Sequence, residues 1–315
     1  MTAGARVGAA VDIGSNSIHL LVAALGRSRL RTMVDESVQL GFGSVVDRQG
    51  RLDAEARAAG VEILRGYVDQ ARTLGAEHIT LVATEPLRRA SDRSVFQADV
   101  LRATGYPLHV LSHEAEAELT LLGVTAGHRP RAPLLVLDIG GGSTELIVAT
   151  PDADPVVGAM ATGSARLAAA LVAHDPPTWC EIGALRAEAV RLFAEMPQAR
   201  PARAIVAGGT GTNTNRLLGR IRLGVLDARL LDRAMTALAL HPADVIAAQT
   251  GLSGRRVRQL AAGIALVEAT LSRYGMPRIA TSDASLREGA IHAAARAGDA
   301  WPDQLSSLID GDPAA

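Results

Sequence analysis

Apolar and polar positions alternate along this chain in short blocks, and one block occurs twice. Val11 to Ala23 reads VDIGSNSIHLLVA, and Leu137 to Ala149 reads LDIGGGSTELIVA. The offset is 126 positions (138 minus 12), and Asp12, Ile13, Gly14, Ser17, Leu20, Val22 and Ala23 recur as Asp138, Ile139, Gly140, Ser143, Leu146, Val148 and Ala149. Each copy is an apolar run, a Gly/Ser/Asn turn and a second apolar run, which predicts a β-hairpin with a polar tip. A hairpin repeated at so long a period predicts two related domains facing each other.

Elsewhere the period switches between helix and strand. Helical spacing runs over 53–75, about 91–104 and, from an N-cap at Ser112, to about 126, with strands at 78–83 and 107–111. Residues 128–133 carry two prolines and read as a linker. The second half predicts helices near 164–173, 180–195, 259–274 and 286–296. It predicts strands at 203–207 and 278–281, the first ending in Gly208–Gly209–Thr210–Gly211. This alternation argues for α/β layers. The expected division is residues 1–127 and 128–315, with a helix at about 290–305 folding back on the first domain and a loosely docked end after about 298.

Composition narrows the chemistry. The 315 residues are 48% hydrophobic but only 3% aromatic, so the core is aliphatic and a stacking platform for single-stranded nucleic acid is not expected. A net charge of −1 offers no global attraction to nucleic acid or an anionic membrane. All 32 basic residues are Arg. A Walker-type P-loop and Schiff-base lysines are thereby excluded, and any phosphate clamp must be Arg, backbone N–H, hydroxyl or metal. Cys180 is the single cysteine, which leaves no intramolecular disulfide and no Cys-based zinc site. His109 and His113 have HxxxH spacing but straddle a strand end and a helix start, so they read as loop-edge histidines. The apolar run near the N-terminus is broken by Asp12, Asn16 and His19. No signal peptide or membrane span is expected, and the expected location is the cytoplasm.

Two Gly/Ser hairpin tips and a GGTG turn can present many backbone N–H groups to an anion, with Ser15, Ser17, Ser143 and Thr144 adding hydroxyls. Asp12 and Asp138 end apolar strands beside those tips, a placement that suits Mg²⁺. Glu145 stands among apolar strand residues where the first copy has His19. On the helix after Ser112, Glu114 and Glu118 share a face and read as solvated. Glu116 borders the apolar stripe of Ala115, Leu119 and Leu122 and is a general-base candidate. Arg88 or Arg89, after Thr84–Glu85–Pro86, could clamp a terminal phosphate. Cys180 and Arg186 have the C-x5-R spacing of Cys-dependent phosphatases, but Glu181, Ile182 and Leu185 make the stretch a helix start. Arg255, Arg256 and Arg258 form a basic cluster that could track a polyanion, but the cluster reads first as a solvated helix end.

With these motifs in place, the chain resembles the exopolyphosphatase / guanosine-pentaphosphate phosphohydrolase family of the actin-like ATPase superfamily. DIGSNS at 12–17 and DIGGGSTE at 138–145 resemble its phosphate loops, and GSARL…DPP at 163–177, GGTGT at 208–212 and LREG at 286–289 are also typical. The resemblance implies duplicated actin-like (ribonuclease H-like) α/β domains with a cleft between them, Mg²⁺ dependence and a homodimer. It implies Glu116 as the base activating water and Arg88 on phosphate. Asp138 and Glu145, with Asp12, would serve the metal. Ser15, Asn16 and Ser17, Gly140 to Thr144 (through Gly141, Gly142 and Ser143), and Gly209, Thr210 and Gly211 would cradle phosphates. The implied substrates are inorganic polyphosphate and guanosine pentaphosphate, hydrolysed by direct attack of water. A nucleotide-binding sensor with little turnover is the alternative. A small-molecule kinase is a third reading, which Gly163 to Pro177 argues against. Where the family usually reads S-G-x-E-E-A-R-L, this chain has Ser112 to Leu119 as SHEAEAEL; where it reads Thr–Ser–Ala, this chain has Thr84–Glu85–Pro86. The resemblance also marks a short form, without the added helical domain of longer members.

Overall fold

The computed structural model describes residues 6–26, 29–220 and 224–309. In chain order the first elements are β1 (Val7–Ile13), β2 (Ser17–Leu25), β3 (Leu30–Gln39), α1 (Phe42–Gln49), α2 (Ala54–Thr73), β4 (His78–Ala83), α3 (Glu85–Arg89), α4 (Arg93–Thr104), β5 (Leu108–Val110) and α5 (His113–Val124). Then come β6 (Leu134–Ile139), β7 (Thr144–Ala149), β8 (Val156–Met160), α6 (Ser164–Leu171), α7 (Trp179–Ala194), β9 (Arg203–Ala207), α8 (Gly209–Leu217), β10 (Val225–Asp227), α9 (Ala228–Leu240), α10 (Ala243–Thr250), α11 (Gly254–Arg273) and β11 (Arg278–Thr281). The chain ends in α12 (Leu286–Ala297), a short 3-10 turn and α13 (Trp301–Ile309).

Two compact units result: Met1–Arg129 with Ala284–Ala315, and Pro130–Asp283. The segment grouped with the first unit starts at Ala284, earlier than the helix at about 290–305 expected to fold back there. The cause lies in α12, which buries Leu286, Ala290, Ile291, Ala293 and Ala294 in one apolar cluster with Ala10, Leu21, Leu119 and Leu122. The end is also firmer than a frayed tail. Trp301, Leu305 and Ile309 recur at i+4 spacing and are all buried, the first two in that same cluster.

The two sheets repeat one plan. In the first, of order β3-β2-β1-β4-β5, β1 to β3 form an antiparallel meander, and β4 and β5 extend it in parallel. In the second, of order β10-β11-β9-β6-β7-β8, β6 to β8 form the meander and β9 and β11 are parallel, with β10 antiparallel at the edge. The alternation within β1 explains the first unit's layers. Ala9, Val11 and Ile13 point into a cluster with Leu64, Val68 and Phe96, while Ala10 points into the cluster with α5 and α12. The predicted cap forms: Ser112 accepts from the Ala115 N–H at 3.1 Å, and Asp53 caps α2 in the same way, accepting from the Ala56 N–H at 2.8 Å.

Helices α5 and α12 meet at glycines. A Cβ on Gly289 would run into the Leu119 carbonyl, and one on Gly123 into the Ser285 carbonyl. Since the obstacle is backbone on both sides, no rotamer change relieves it. Gly289→Ala is expected to cost about 1–3 kcal/mol, measured as a shift in the urea midpoint at unchanged m. His292, on α12, gives a second prediction. Burial holds its imidazole down to about 4, and the charges of Arg296 and His128 add to this. The unfolded chain protonates near 6.5 and the folded one only near 4, so stability is lost as pH falls through that window. His292→Gln is expected to flatten that limb by roughly 2–3 kcal/mol, read from urea titrations at pH 4 and pH 7.

Candidate active site

Both hairpin tips are built the same way. The Gly14 N–H donates to the Ser17 carbonyl at 3.0 Å and the Gly140 N–H to the Ser143 carbonyl at 3.0 Å. In each copy the next helix then takes the turn's carbonyls. The Ser15 carbonyl accepts from the Gly43 N–H at 2.8 Å, and the Asn16 carbonyl from Leu40 and Gly41. Likewise the Gly141 carbonyl accepts from the Ala165 and Arg166 N–H groups, and the Gly140 carbonyl from the Ser164 N–H at 2.9 Å. Gly43 and Gly163 must be small for this approach: a Cβ on Gly43 would meet Ser15, and one on Gly163 would meet the backbone of Gly140 and Gly141. With its carbonyls turned back into the protein, such a turn has its amide edge to offer an anion.

In the second unit the two predicted metal-site carboxylates are brought together. Asp138 and Glu145 are directly opposed in the β6–β7 ladder, so their side chains share one face of the sheet. Glu145 is 1% exposed. Gly208, at φ 72°, lies beside Asp138, whose Oδ1 is 3.4 Å from where a Cβ on that glycine would sit. Gly208 precedes α8, so the Asp138 carboxylate lies beside the start of that helix. Of the predicted phosphate ligands there, Gly209 is exposed but Thr210 and Gly211 are buried. The Thr210 side chain packs where α11 has Gly263, and Gly211 packs against Val206 and Thr281. Thr210 and Gly211 can therefore contribute backbone N–H groups only, as the first turn of a helix does. The Thr144 hydroxyl is likewise turned inward, donating to the Thr162 carbonyl at 2.8 Å. Arg166, absent from the expected set, braces the tip by donating to the Gly142 carbonyl at 2.9 Å and the Ala161 carbonyl at 2.5 Å. The C-x5-R spacing makes no loop: Cys180 is the second residue of α7, and Arg186 grips Glu268 with two 2.8 Å bonds.

In the first unit the counterpart of the Asp138–Glu145 pair is Asp12 opposite His19. His19 Nε2 shares a 2.6 Å bond with Ser17 Oγ. Ser15 Oγ donates to Glu85 Oε2 at 3.0 Å, and Glu85 pairs in turn with Arg89, which reaches Asp47 at 2.6 Å. Glu85 is 3% exposed, so a buried carboxylate holds the hydroxyl expected to serve phosphate. Arg88 and Glu116 also come together, and they touch. Arg88 Nη1 donates to Glu116 Oε2 at 2.5 Å and to the Leu111 carbonyl at 3.0 Å, while Nη2 lies 3.2 Å from His113 Nδ1. The side chains are 14% and 9% exposed. Burial, together with the Arg88 charge, pushes the His113 imidazole down, so it meets Arg88 as a neutral acceptor. Arg287, on the LREG stretch, is a further residue the expected set omits. Burial opposes its charge, but Glu288, Asp35 and Asp12 outweigh this and raise its pKa, and it bonds Asp35 at 2.5 Å.

The profile of the Ppx/GppA phosphatase family matches residues 21–296. The chain belongs to this family. A guanosine-5'-triphosphate,3'-diphosphate pyrophosphatase of Pseudoalteromonas translucida is 37% identical over 145 residues, 45% of this chain and 29% of that protein. A putative exopolyphosphatase of Haemophilus influenzae is 33% identical over 142 residues, 44% of this chain and 43% of that protein. The chain thus aligns with less than half the length of these curated relatives. The crystal structure of the Aquifex aeolicus Ppx/GppA family member superimposes with a TM-score of 0.79 at 24% identity, covering 93% of this chain and 99% of that one. That likeness bears out the duplicated actin-like α/β fold expected for this Ppx/GppA chain. No helix among the described residues is long and apolar enough to cross a membrane.

The Arg88–Glu116 pair is buried enough to be tested by stability alone. A double-mutant cycle with Arg88→Met and Glu116→Gln is expected to give a coupling energy of about 1–3 kcal/mol in urea unfolding. Additive single effects would mean the pair contributes no more than an exposed one.

Proposed function

We propose that this chain is a phosphohydrolase that releases terminal phosphate from inorganic polyphosphate or guanosine pentaphosphate by attack of water. The observation that carries the reading is the opposed pair Asp138 and Glu145 beside a turn whose carbonyls are drawn back into α6. Two carboxylates, a hydroxyl-bearing turn and neighbouring backbone amides are hard-oxygen and N–H donors, the set that suits Mg²⁺ together with phosphate. Mg²⁺ is assigned to Asp138 and Glu145, where it would neutralise phosphate charge. Asp12 fits this role less well, because its opposed residue is His19 and Arg287 acts on its charge. The amides of Gly141 and Gly142, and those opening α8, take phosphate oxygens. Glu116 takes the proton of the attacking water, with Arg88 fixing its rotamer through Oε2. Work in the cytoplasm is an expectation that rests on the chain's N-terminal pattern, and a homodimeric state one that rests on the family resemblance.

One observation favours the second reading, a guanosine-polyphosphate or nucleotide sensor with little turnover. Glu116 is engaged by Arg88 and Ser15 by Glu85, so two groups assigned to catalysis and binding already have protein partners.

The deciding experiment is phosphate release from tripolyphosphate, long-chain polyphosphate and guanosine pentaphosphate with Mg²⁺. Glu116→Gln is expected to lower release by roughly 10²-fold or more, with the circular dichroism spectrum unchanged and any fall in the thermal midpoint no larger than loss of the Arg88 ion pair accounts for. Undiminished release would remove Glu116 from the mechanism. Tight calorimetric binding of guanosine pentaphosphate without any phosphate release would establish the sensor instead.

A further inference from the structure

The second unit contains a cavity of about 430 Å³ that the hydrolytic reading leaves unused. Its size falls within the span of small-molecule sites, roughly 300–1,000 Å³. The floor is apolar and buried, formed by Ala168, Leu238, Val257 and Ala261. The α6 wall carries only methyl groups at Ala165, Ala168 and Ala169, so it is flat enough for a ring to lie against it.

The rim has the opposite character. Arg255, Arg258 and His241 line it, and all three are exposed. Asp175 is the one acid among the lining residues, and both of its oxygens are engaged: Oδ2 by Arg258 Nε at 3.2 Å and Oδ1 by the Ala243 N–H at 2.8 Å. This brace ties the loop before α7 to the starts of α10 and α11, and it neutralises the acid. His174 is likewise bonded to Glu181. The side chains of Arg255 and His241 make no hydrogen bond or ion pair with any described residue. The lining thus pairs a dry, flat floor with uncompensated positive charge at its mouth. Sequence spacing alone makes the Arg255–Arg258 cluster a solvated helix end; the cavity beneath gives it a use.

We propose that this cavity binds a small amphipathic organic anion, with a flat apolar body against the α6 wall and one carboxylate, sulfonate or phosphate at Arg255. A bare phosphate would leave the floor wetted by water, and a neutral ring would leave Arg255 unmatched. The site is independent of the phosphohydrolase reading.

The test is a fluorescence titration of the full chain with 1-anilinonaphthalene-8-sulfonate, in saturating tripolyphosphate so that phosphate-binding turns do not compete. One probe per chain is expected. Trp179 is 55% exposed and lies two residues past Pro177, a lining residue, so energy transfer from tryptophan to the probe should fall in Trp179→Phe while affinity holds. Ala169→Phe fills the slot from an exposed helix position, and Arg255→Glu reverses the rim charge. Each is expected to weaken binding roughly tenfold or more with an unchanged thermal midpoint. Affinity within about twofold of wild type in either variant, or more than one equivalent probe per chain, would overturn the proposal. So would equal binding of the uncharged N-phenyl-1-naphthylamine. The titration reads no phosphate release, so its failure and the failure of the hydrolase reading are separate results.

Discussion

A buried backbone carbonyl must find a donor, and in each hairpin tip that demand is met from one side. The strands fix the turn's ends through the Gly14–Ser17 and Gly140–Ser143 bonds, and the segment opening the next helix satisfies the carbonyls between them. The residues next to each tip are chosen to suit that arrangement. Gly43 and Gly163 are small because the helix start must reach the turn. Ser164 and Arg166 add side-chain donors where the second tip needs more. The orientation of the amide edge is therefore a consequence of satisfying the carbonyls, and the phosphate reading depends on it. Keeping the glycines of DIGGGS while disturbing α6 would lose the site as surely as replacing them.

The charges around the turns are distributed unequally between the copies, although their backbones match. At the position opposed to the strand-ending Asp, the second copy has Glu145 and the first has His19. Two opposed carboxylates repel unless a cation lies between or beside them, so that pair asks for a metal or a proton. An Asp facing His19 and acted on by Arg287 makes no such demand. Duplication has thus kept the hairpin and let the chemistry diverge. Glu85 extends the divergence: a buried acid bonded to Ser15 makes the first tip less hospitable to an anion than its backbone alone would be.

The hairpins, their repeat and the alternation of strand and helix are legible in the sequence because they rest on period and turn chemistry, which are local. Ser112 is legible as a cap for the same reason. Other features are not. A helix folding back on the first domain is expected from the sequence, but not how it seats: that depends on small residues at Gly123 and Gly289 matching across 166 positions (289 minus 123), and glycine in a helix pattern reads locally as a weakness. The packing of α11 and β11 against Thr210 and Gly211, which leaves that turn only its backbone N–H groups to offer, is invisible in the local GGTG pattern. The ion pair of Arg88 with Glu116 joins two residues that the sequence singles out separately; nothing in their 28-residue separation announces that they meet.

The absence of lysine also has a structural consequence. Several loops and helix ends are closed by a single guanidinium that binds two carbonyls at once. Arg273 donates to Phe193 at 3.1 Å and Met196 at 3.0 Å, at the end of α7. Arg296 donates to Gly127 at 3.1 Å and Ala126 at 3.3 Å, past the end of α5, where Ala126 sits at φ 52°. Arg166 also holds two carbonyls, those of Gly142 and Ala161, but through Nη1 alone, so the fork matters at Arg273 and Arg296. An ammonium is a point charge with no fixed fork, so Arg→Lys at these positions would hold one carbonyl and leave the other to water. The compositional bias that removes the P-loop lysine thereby also supplies the forked braces that close the ends of α5 and α7.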